Sequence, residues 1–374
     1  MSQRHVHNVG MVPDKPHLLN ATETLTSWLA ENGEKPFRAR QIRRWIDRGR
    51  AESFAEMTDL PQGLRERLAD AFTLLSTEIL KHSVSGDGTE KLLLGLADGH
   101  QVECVLLRDG ERRTICISSQ VGCAMGCVFC ASGIGGVTRN LTDGEIYEQA
   151  LRLQRLLPEE ERLSHIVMMG MGEPLANLDN VLAALERATS PNGLGIGSRR
   201  ITISTVGLPK MIDRLIDRGP KFHLAVSLHA PNEELRQKIV PVSKQAGLME
   251  TLAAADRYFQ ASGRRLTFEY VLLAGVNDQS KHARQLAALL SGRTAMVNLI
   301  PYNPVVGLAY ATPTPAAVHK FRQSLEAAGL NVQIRERKGD DISAACGQLR
   351  RAYLQQSETR QISLKEFDGA GPAG

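Results

Sequence analysis

Several things are scarce in this 374-residue sequence, and each scarcity narrows what the protein can be. No apolar run approaches the roughly 20 residues that span a bilayer, and the opening stretch MSQRHVHNVGMVPDKP has no apolar core of the kind a secretory leader carries. The expectation is therefore a cytoplasmic location with no membrane partner. Cysteines number only six, three of them crowded into eight residues. Such crowding is unlike a secreted disulfide framework, and in a reducing compartment it points to metal binding or thiol chemistry. The formal charge of +4 is too small to establish a nucleic-acid partner by itself. There is also no second C-x2-C pair and no H-x3-H to complete a four-ligand zinc site. What remains is ordinary for a globular chain, 42% hydrophobic and 23% charged with a mean hydropathy of -0.20, long enough for one large domain with a smaller one or for two.

Charge distribution says more than net charge. The segment PFRARQIRRWIDRGR (36–50) carries Arg38, Arg40, Arg43, Arg44, Arg48 and Arg50 against the single acid Asp47. Its periodicity predicts a helix with Ile42, Trp45 and Ile46 on one face and Arg43, Arg44 and Arg48 around the other. Leu60, Leu64, Leu68 and Phe72, spaced by four, predict a second helical stripe. The expected organisation is a flexible start (1–16), a small helical unit (17–80), a β linker element (81–112), a βα core (113–338) and a C-terminal segment with a mobile tail (339–374). Within the core, strand-like runs recur as TICIS (114–118), HIVMMGM (165–171), RITIST (200–205), FHLAVSL (222–228), RLTFEYVLL (265–273) and AMVNLI (295–300), with NVQIRER (331–337) as a possible seventh. Helix-like runs separate them, one opening with a Thr142/Glu145 capping box. Repeated βα units imply a parallel sheet, so the expected fold class is α/β, a partial (βα)6 TIM-like barrel with an N-terminal helical accessory domain.

Cys123, Cys127 and Cys130 form C-x3-C-x2-C directly after the first core strand, on the side where barrels of this kind build active sites. Three thiolates cannot complete a structural zinc site or an ordinary four-cysteine iron–sulfur cluster, so one metal position must stay open or recruit a distant ligand. A zinc-stabilised RNA-binding protein is the alternative in which the fourth ligand is remote.

The triplet, with Phe129 before its last cysteine, resembles the radical-SAM superfamily, in which three cysteines hold a [4Fe-4S] cluster and S-adenosylmethionine chelates the remaining iron. The motifs FRARQIRRW, EMTDLP, CISSQVGCAMGCVFCASG, RNLT, VMMGMGEPLAN, VSLHAPNEELR, EYVLLAGVND, IPYNP and KGDDISAACGQLR narrow it further: over residues 34–351 the chain is similar to the RlmN/Cfr family of RNA adenine methylases. The resemblance implies methylation of an adenosine ring carbon, carbon 2 in the RlmN branch or carbon 8 in the Cfr branch. Both use two S-adenosylmethionine molecules per turnover. The motifs MGMGEPLAN and SLHAPNEELR favour RlmN, whose members act on large-subunit (23S) rRNA and in some cases on tRNA beside the anticodon. FCASGIGGVTRN, PVSKQAGLME and PYNPVVGLAY depart from the usual RlmN wording and keep carbon 8 open as the alternative.

The same resemblance implies roles for single residues. Cys346 matches the methyl-carrying cysteine, Cys116 the thiol that resolves the RNA adduct through a disulfide, and Glu103 the general base. Period-two alternation separates Cys116 from Ile115 and Ile117 and puts it on one face with Thr114 and Ser118. Gly172, Glu173, Ser204, Ser227, Leu228, His229 and Asn303 match S-adenosylmethionine contacts. Cys104 matches no role and reads as a packed small hydrophobe. The implied partners are RNA, bound by the arginine helix, and an electron donor such as flavodoxin or ferredoxin.

Overall fold

The computed structural model describes residues 15–20 and 22–349. Most of the expected flexible start and all of the tail after residue 355 lie outside the described residues. The chain divides into two compact units, Met1–Ser76 and Thr77–Gly374.

The first unit holds helices α1 (Thr22–Glu31), α2 (Phe37–Asp47) and α3 (Gln62–Ala71). Leu25, Leu29, Ile42, Ile46, Leu64 and Leu68 are each at most 2% exposed and form its core. All four positions of the expected stripe are buried, but only Leu64 and Leu68 lie on α3; Leu60 precedes the helix and Phe72 is its extended C-cap. On α2 the expected two-sidedness holds at Ile42 and Ile46, whereas Trp45 is half-buried and donates its indole N–H to Asp59. Arg40 and Arg44 are exposed and Arg43 is half-buried.

The second unit is built on one ten-stranded sheet. Strands β1 (Glu78–Val84), β2 (Glu90–Gly95), β3 (Gln101–Asp109) and β4 (Arg112–Cys116) pair with one another antiparallel in that order. The short pair β5 (Gln120–Gly122) and β6 (Val137–Asn140) follows, then β7 (His165–Met168), β8 (Ile201–Thr205), β9 (His223–Ser227), β10 (Leu266–Leu272), β11 (Ala295–Pro301) and β12 (Asn331–Ile334). The sheet order β1-β2-β3-β4-β7-β8-β9-β10-β11-β12 makes the strands from β4 onward a parallel series, and its ends do not pair with each other. The barrel is therefore partial. NVQIRER does supply a seventh parallel strand, and the segment expected as a β linker continues the core sheet.

Helices α4 (Asp143–Gln154), α5 (Leu178–Thr189), α6 (Pro209–Asp217), α7 (Glu233–Ile239), α8 (Leu248–Ser262), α9 (Ser280–Leu290) and α10 (Pro315–Glu326) alternate with the parallel strands. The Thr142/Glu145 capping box forms, with the Glu145 N–H donating to Thr142 Oγ1 at 3.1 Å and the Thr142 N–H donating to Glu145 Oε2 at 2.9 Å. Helix α5 is absent from the sequence reading above, although Leu178, Val181, Leu182 and Leu185 repeat with helical period and are buried. Strand alternation sorts the core into two faces: Ile115, Ile166, Ile203, Leu224, Phe268 and Leu299 are fully buried on one, while Thr114, Thr202, Thr267 and Asn298 on the other line a central lumen. Among the described residues no helix is long and apolar enough to cross a membrane.

Candidate active site

The loop between β5 and β6 carries Cys123, Cys127 and Cys130, all half-buried and none in a disulfide. They pack against an apolar floor that includes Met125, Phe129, Val206 and Val271. Burial pushes the Cys123 thiol up to about 12 and raises Cys127 and Cys130 as well. Neutral thiols in such a setting ionise only when a cation arrives. Among the described residues no three His, Cys, Asp or Glu side chains are grouped as one metal ion would require. The three thiols instead line an open cavity of about 150 Å³. Three thiols lining one cavity match the three-cysteine ligand set of a [4Fe-4S] cluster with one position left open.

The same cavity is lined by Gly172, Glu173, Ser204, Ser227, His229 and Asn303. Leu228 differs: it is fully buried off this wall, and its backbone N–H donates to the Glu269 carbonyl at 3.0 Å. Gly172 has φ +103°, and a Cβ there would lie 2.7 Å from both Gln120 Cβ and Ser119 Oγ, so only glycine lets the chain pass. Glu173 is 3% exposed, and its carboxylate accepts one N–H on each oxygen, from Leu175 at 3.1 Å and Val206 at 2.8 Å. Burial pushes this carboxyl up from its ordinary range. Lone pairs remain on both oxygens for a cationic amine. Asn303 donates from Nδ2 to the Cys346 carbonyl at 3.2 Å, while its buried Oδ1 has no partner among the described residues and presents a ready acceptor.

His229 is one of the few non-glycine residues at positive φ, +59°. Its Nδ1 accepts the Val271 N–H at 3.1 Å, which places the proton of the neutral ring on Nε2. Burial, then the nearby Arg236, pushes its imidazole down to about 3. The ring meets Phe129 edge-on at 4.8 Å, joining the cysteine loop to the strand ends. Arg236, which the sequence reading did not single out, is 1% exposed and donates to the Val206 carbonyl at 2.7 Å beneath the cysteine loop.

A larger cavity of about 570 Å³ occupies the lumen and is lined by both Cys116 and Cys346. Cys346 also lines the smaller cavity, as do Met169, Glu269 and Arg335, so the two spaces share a wall. Thr114 and Cys116 face the lumen as alternation requires, but Ser118 lies beyond the end of β4 and donates to the Glu103 carbonyl at 2.7 Å. Burial, then the neighbouring Cys346, pushes Cys116 up to about 12. Glu103 shares its face of β3 with the lumen-lining Val105 and Leu107 but lines neither cavity itself; its carboxylate is paired with Lys91 Nζ at 2.9 Å. Cys104 points the other way, fully buried, its thiol driven up by burial, as a packing residue would be. Two lumen residues escaped the sequence reading: Arg335, and Glu269, which accepts from Asn298 Nδ2 at 2.8 Å. Their strand alternation was visible, but nothing in the local wording separates a lumen carboxylate from a surface one.

An open βα barrel with three thiols at the strand ends is the arrangement of a radical-SAM protein, and residues 117–287 match the family model described as the Radical SAM superfamily. Residues 17–74 match the model described as the ribosomal RNA large subunit methyltransferase N-terminal domain. The chain is 65% identical to a probable dual-specificity RNA methyltransferase RlmN from Rhodopirellula baltica, covering 91% of this chain and 92% of that one. A protein of the same description from Desulforamulus reducens is 50% identical over 90% of this chain and 95% of its own. Among solved structures, a radical SAM methyltransferase from Sphaerobacter thermophilus superposes with a TM-score of 0.86 at 44% identity, covering 90% of this chain and 99% of that one. The chain belongs to the RlmN family.

Proposed function

We propose that this protein methylates carbon 2 of an adenosine in RNA, with 23S rRNA and tRNA as substrates. The description of its relatives as dual-specificity RNA methyltransferases supports this over carbon 8 chemistry. The observation that carries the reading is the pair of free thiols, Cys116 and Cys346, on a lumen wall continuous with the cysteine-loop cavity. Cys123, Cys127 and Cys130 would hold a [4Fe-4S] cluster, and Gly172, Glu173, Ser204, Ser227, His229 and Asn303 would hold S-adenosylmethionine. Leu228 would contribute through the backbone. The unpartnered Asn303 Oδ1, the shared carboxylate of Glu173 and the closely fitted Gly172 suit that polar, cationic ligand. When bound, the cluster and cofactor supply a carbon radical, which an unreactive ring C–H carbon requires.

The chain's own residues do the rest. Cys346 carries the methyl carbon as a thioether and so tethers the base, Glu103 removes the proton from the methylated ring carbon, and Cys116 attacks the Cys346 sulfur to release product as a disulfide. The adenine must leave its stack to reach the lumen. A low-potential donor of the flavodoxin or ferredoxin class would reduce the cluster.

The two thiols act at different times, so their variants should fail differently. Cys346→Ala should form no adduct, whereas Cys116→Ala should stall with RNA covalently attached, seen on a denaturing gel as a nuclease-sensitive shift that disappears in the double variant. Free methyladenosine from Cys116→Ala at the parent rate would remove Cys116 from the scheme. Mass spectrometry of the product nucleoside reads the position, and 8-methyladenosine would return the carbon 8 alternative.

A further inference from the structure

The segment that carries Cys346 has no strand or long helix of its own, only the short turn Asp340–Ile342, so its position must come from what grips it. The β1–β2 hairpin grips it from one side. The Gly339 N–H donates to Asp87 Oδ2 at 2.9 Å, Asp341 Oδ1 accepts from Ser85 Oγ at 2.5 Å, and Asp341 Oδ2 accepts from the Gly86 N–H at 3.2 Å. A Cβ at Gly339 would lie 2.7 Å from Ala344 Cβ and 2.8 Å from Thr89 Cγ2, which shows how closely the two pieces fit. On the other side the Ala131 N–H donates to the Gly347 carbonyl at 2.7 Å, and Asn303 holds the Cys346 carbonyl.

One contact in this grip differs in kind. Lys91, on β2 and 7% exposed, places its ammonium 3.0 Å from the Ser343 carbonyl and 2.9 Å from Glu103 Oε1. A buried ion pair is poor value as a stabiliser, since removing both charges from water costs several kcal/mol that an apolar pair would avoid. What it does supply is position. An ammonium has three donors at one point and can hold a carboxylate and a carbonyl in fixed relation.

We propose that Lys91 is a positioning residue for the release half of the reaction: its ammonium keeps the Glu103 carboxylate in register with the segment bearing Cys346. This rests on the roles of Glu103 and Cys346 given above. In that half-reaction the ring C–H proton passes to Glu103 and its electron pair stays on the base. The Cys116 thiolate forms an S–S bond with Cys346. The pair of the broken S–C bond leaves on the methylene carbon, which takes up a proton and becomes the methyl group. Two sulfurs are oxidised by one electron each and one carbon is reduced by two; the single unpaired electron left by the radical addition would return to the oxidised iron–sulfur cluster, so no other oxidant is needed.

The test uses the full-length protein with its cluster assembled. Lys91→Met keeps side-chain length and removes the charge. It should load the Cys346 methyl and form 5′-deoxyadenosine as the parent does, yet release product at least about tenfold more slowly while the protein–RNA adduct accumulates, a smaller loss than the roughly 100-fold or more expected on removing a general base, because the carboxylate itself remains. Lys91→Arg should restore the ratio of product to adduct, and Lys91→Met added to Glu103→Gln should slow release no further. In cluster-free protein, hydrogen exchange over residues 339–346 should rise in Lys91→Met and fall back in Lys91→Arg. Normal release by Lys91→Met, or an additive loss in the double variant, overturns the proposal. If Lys91→Met takes up no iron, Lys91→Gln against Lys91→Arg decides, and a Gln variant that releases normally overturns it. If Glu103→Gln accumulates no adduct, the fault lies with the base assignment and not with Lys91.

Discussion

His229 bears two costs: its backbone sits at a φ that side chains disfavour, and its imidazole is buried away from water. Three bonds compensate. Its N–H donates to the Glu269 carbonyl at 3.2 Å, its carbonyl accepts from Asn277 Nδ2 at 2.9 Å, and its Nδ1 accepts from Val271. The imidazole is held near 3 against 6.5 for a free side chain, so the fold binds it neutral while the unfolded chain binds a proton. The stability it contributes is therefore complete above pH 6.5 and lost as pH falls toward 3, at a limiting slope of about 1.4 kcal/mol per pH unit. The buried carboxyls of Glu173 and Glu269 are raised and act in the opposite sense, contributing at low pH and losing that contribution as pH rises through their folded values. Comparing parent with His229→Gln isolates the histidine. Denaturant unfolding between pH 7 and 4 should show a flatter pH dependence in the variant, and parallel curves would mean that the ring is protonated in the folded protein.

At the scale of elements, α4 follows the cysteine loop and its start is pinned twice. Besides the capping box, Arg139 on β6 donates from Nη1 and Nη2 to the two oxygens of Glu145, each at 2.8 Å, and so ties the strand that closes the loop to the helix that follows. Thr142→Ala should cost about 1 kcal/mol of stability, the usual value of such a cap. Urea denaturation checks this, and an unchanged midpoint would show that Arg139 and Glu145 hold the helix start without it. This capping box was legible in the sequence because it is local chemistry, two residues of fixed type three positions apart. The parallel strands were legible for a related reason, since apolar residues on one face alternate with polar ones such as Thr114, Thr202, Thr267 and Asn298 on the other. Legibility fails where the signal is not local. Leu178–Thr189 follows a turn-rich GEPLAN stretch that masks a helical period otherwise plain in it, and the Lys91–Glu103–Ser343 junction joins positions more than 200 residues apart. Motif resemblance named Glu103 but could not show that it stands behind the lumen wall, gripped by a lysine.

Across the whole molecule, the net charge of +4 conceals how the cations are placed. In the first unit α2 buries Asp47, the one acid of its arginine-rich stretch, together with Ala39, Ile42 and Ile46, and leaves Arg40 and Arg44 exposed one helical turn apart. Positions four apart share a helix face, so these two guanidiniums lie together, and guanidinium pairs with phosphate through two parallel N–H bonds. Residues 17–74 match a ribosomal RNA large subunit methyltransferase N-terminal domain, so RNA is the partner to test against this stretch. Each phosphate contact releases counterions, so two lost contacts should lower the slope of log affinity against log salt by about 1.5 and weaken all RNA substrates alike. The three cysteines proposed to hold the cluster belong to the other compact unit, so Arg40→Ala/Arg44→Ala should retain its iron and its 5′-deoxyadenosine formation without RNA. Filter binding of a 23S fragment and a tRNA across a salt series measures the slope for both. An unchanged slope would make α2 a solvated face and move the search for the RNA-binding surface to the barrel unit.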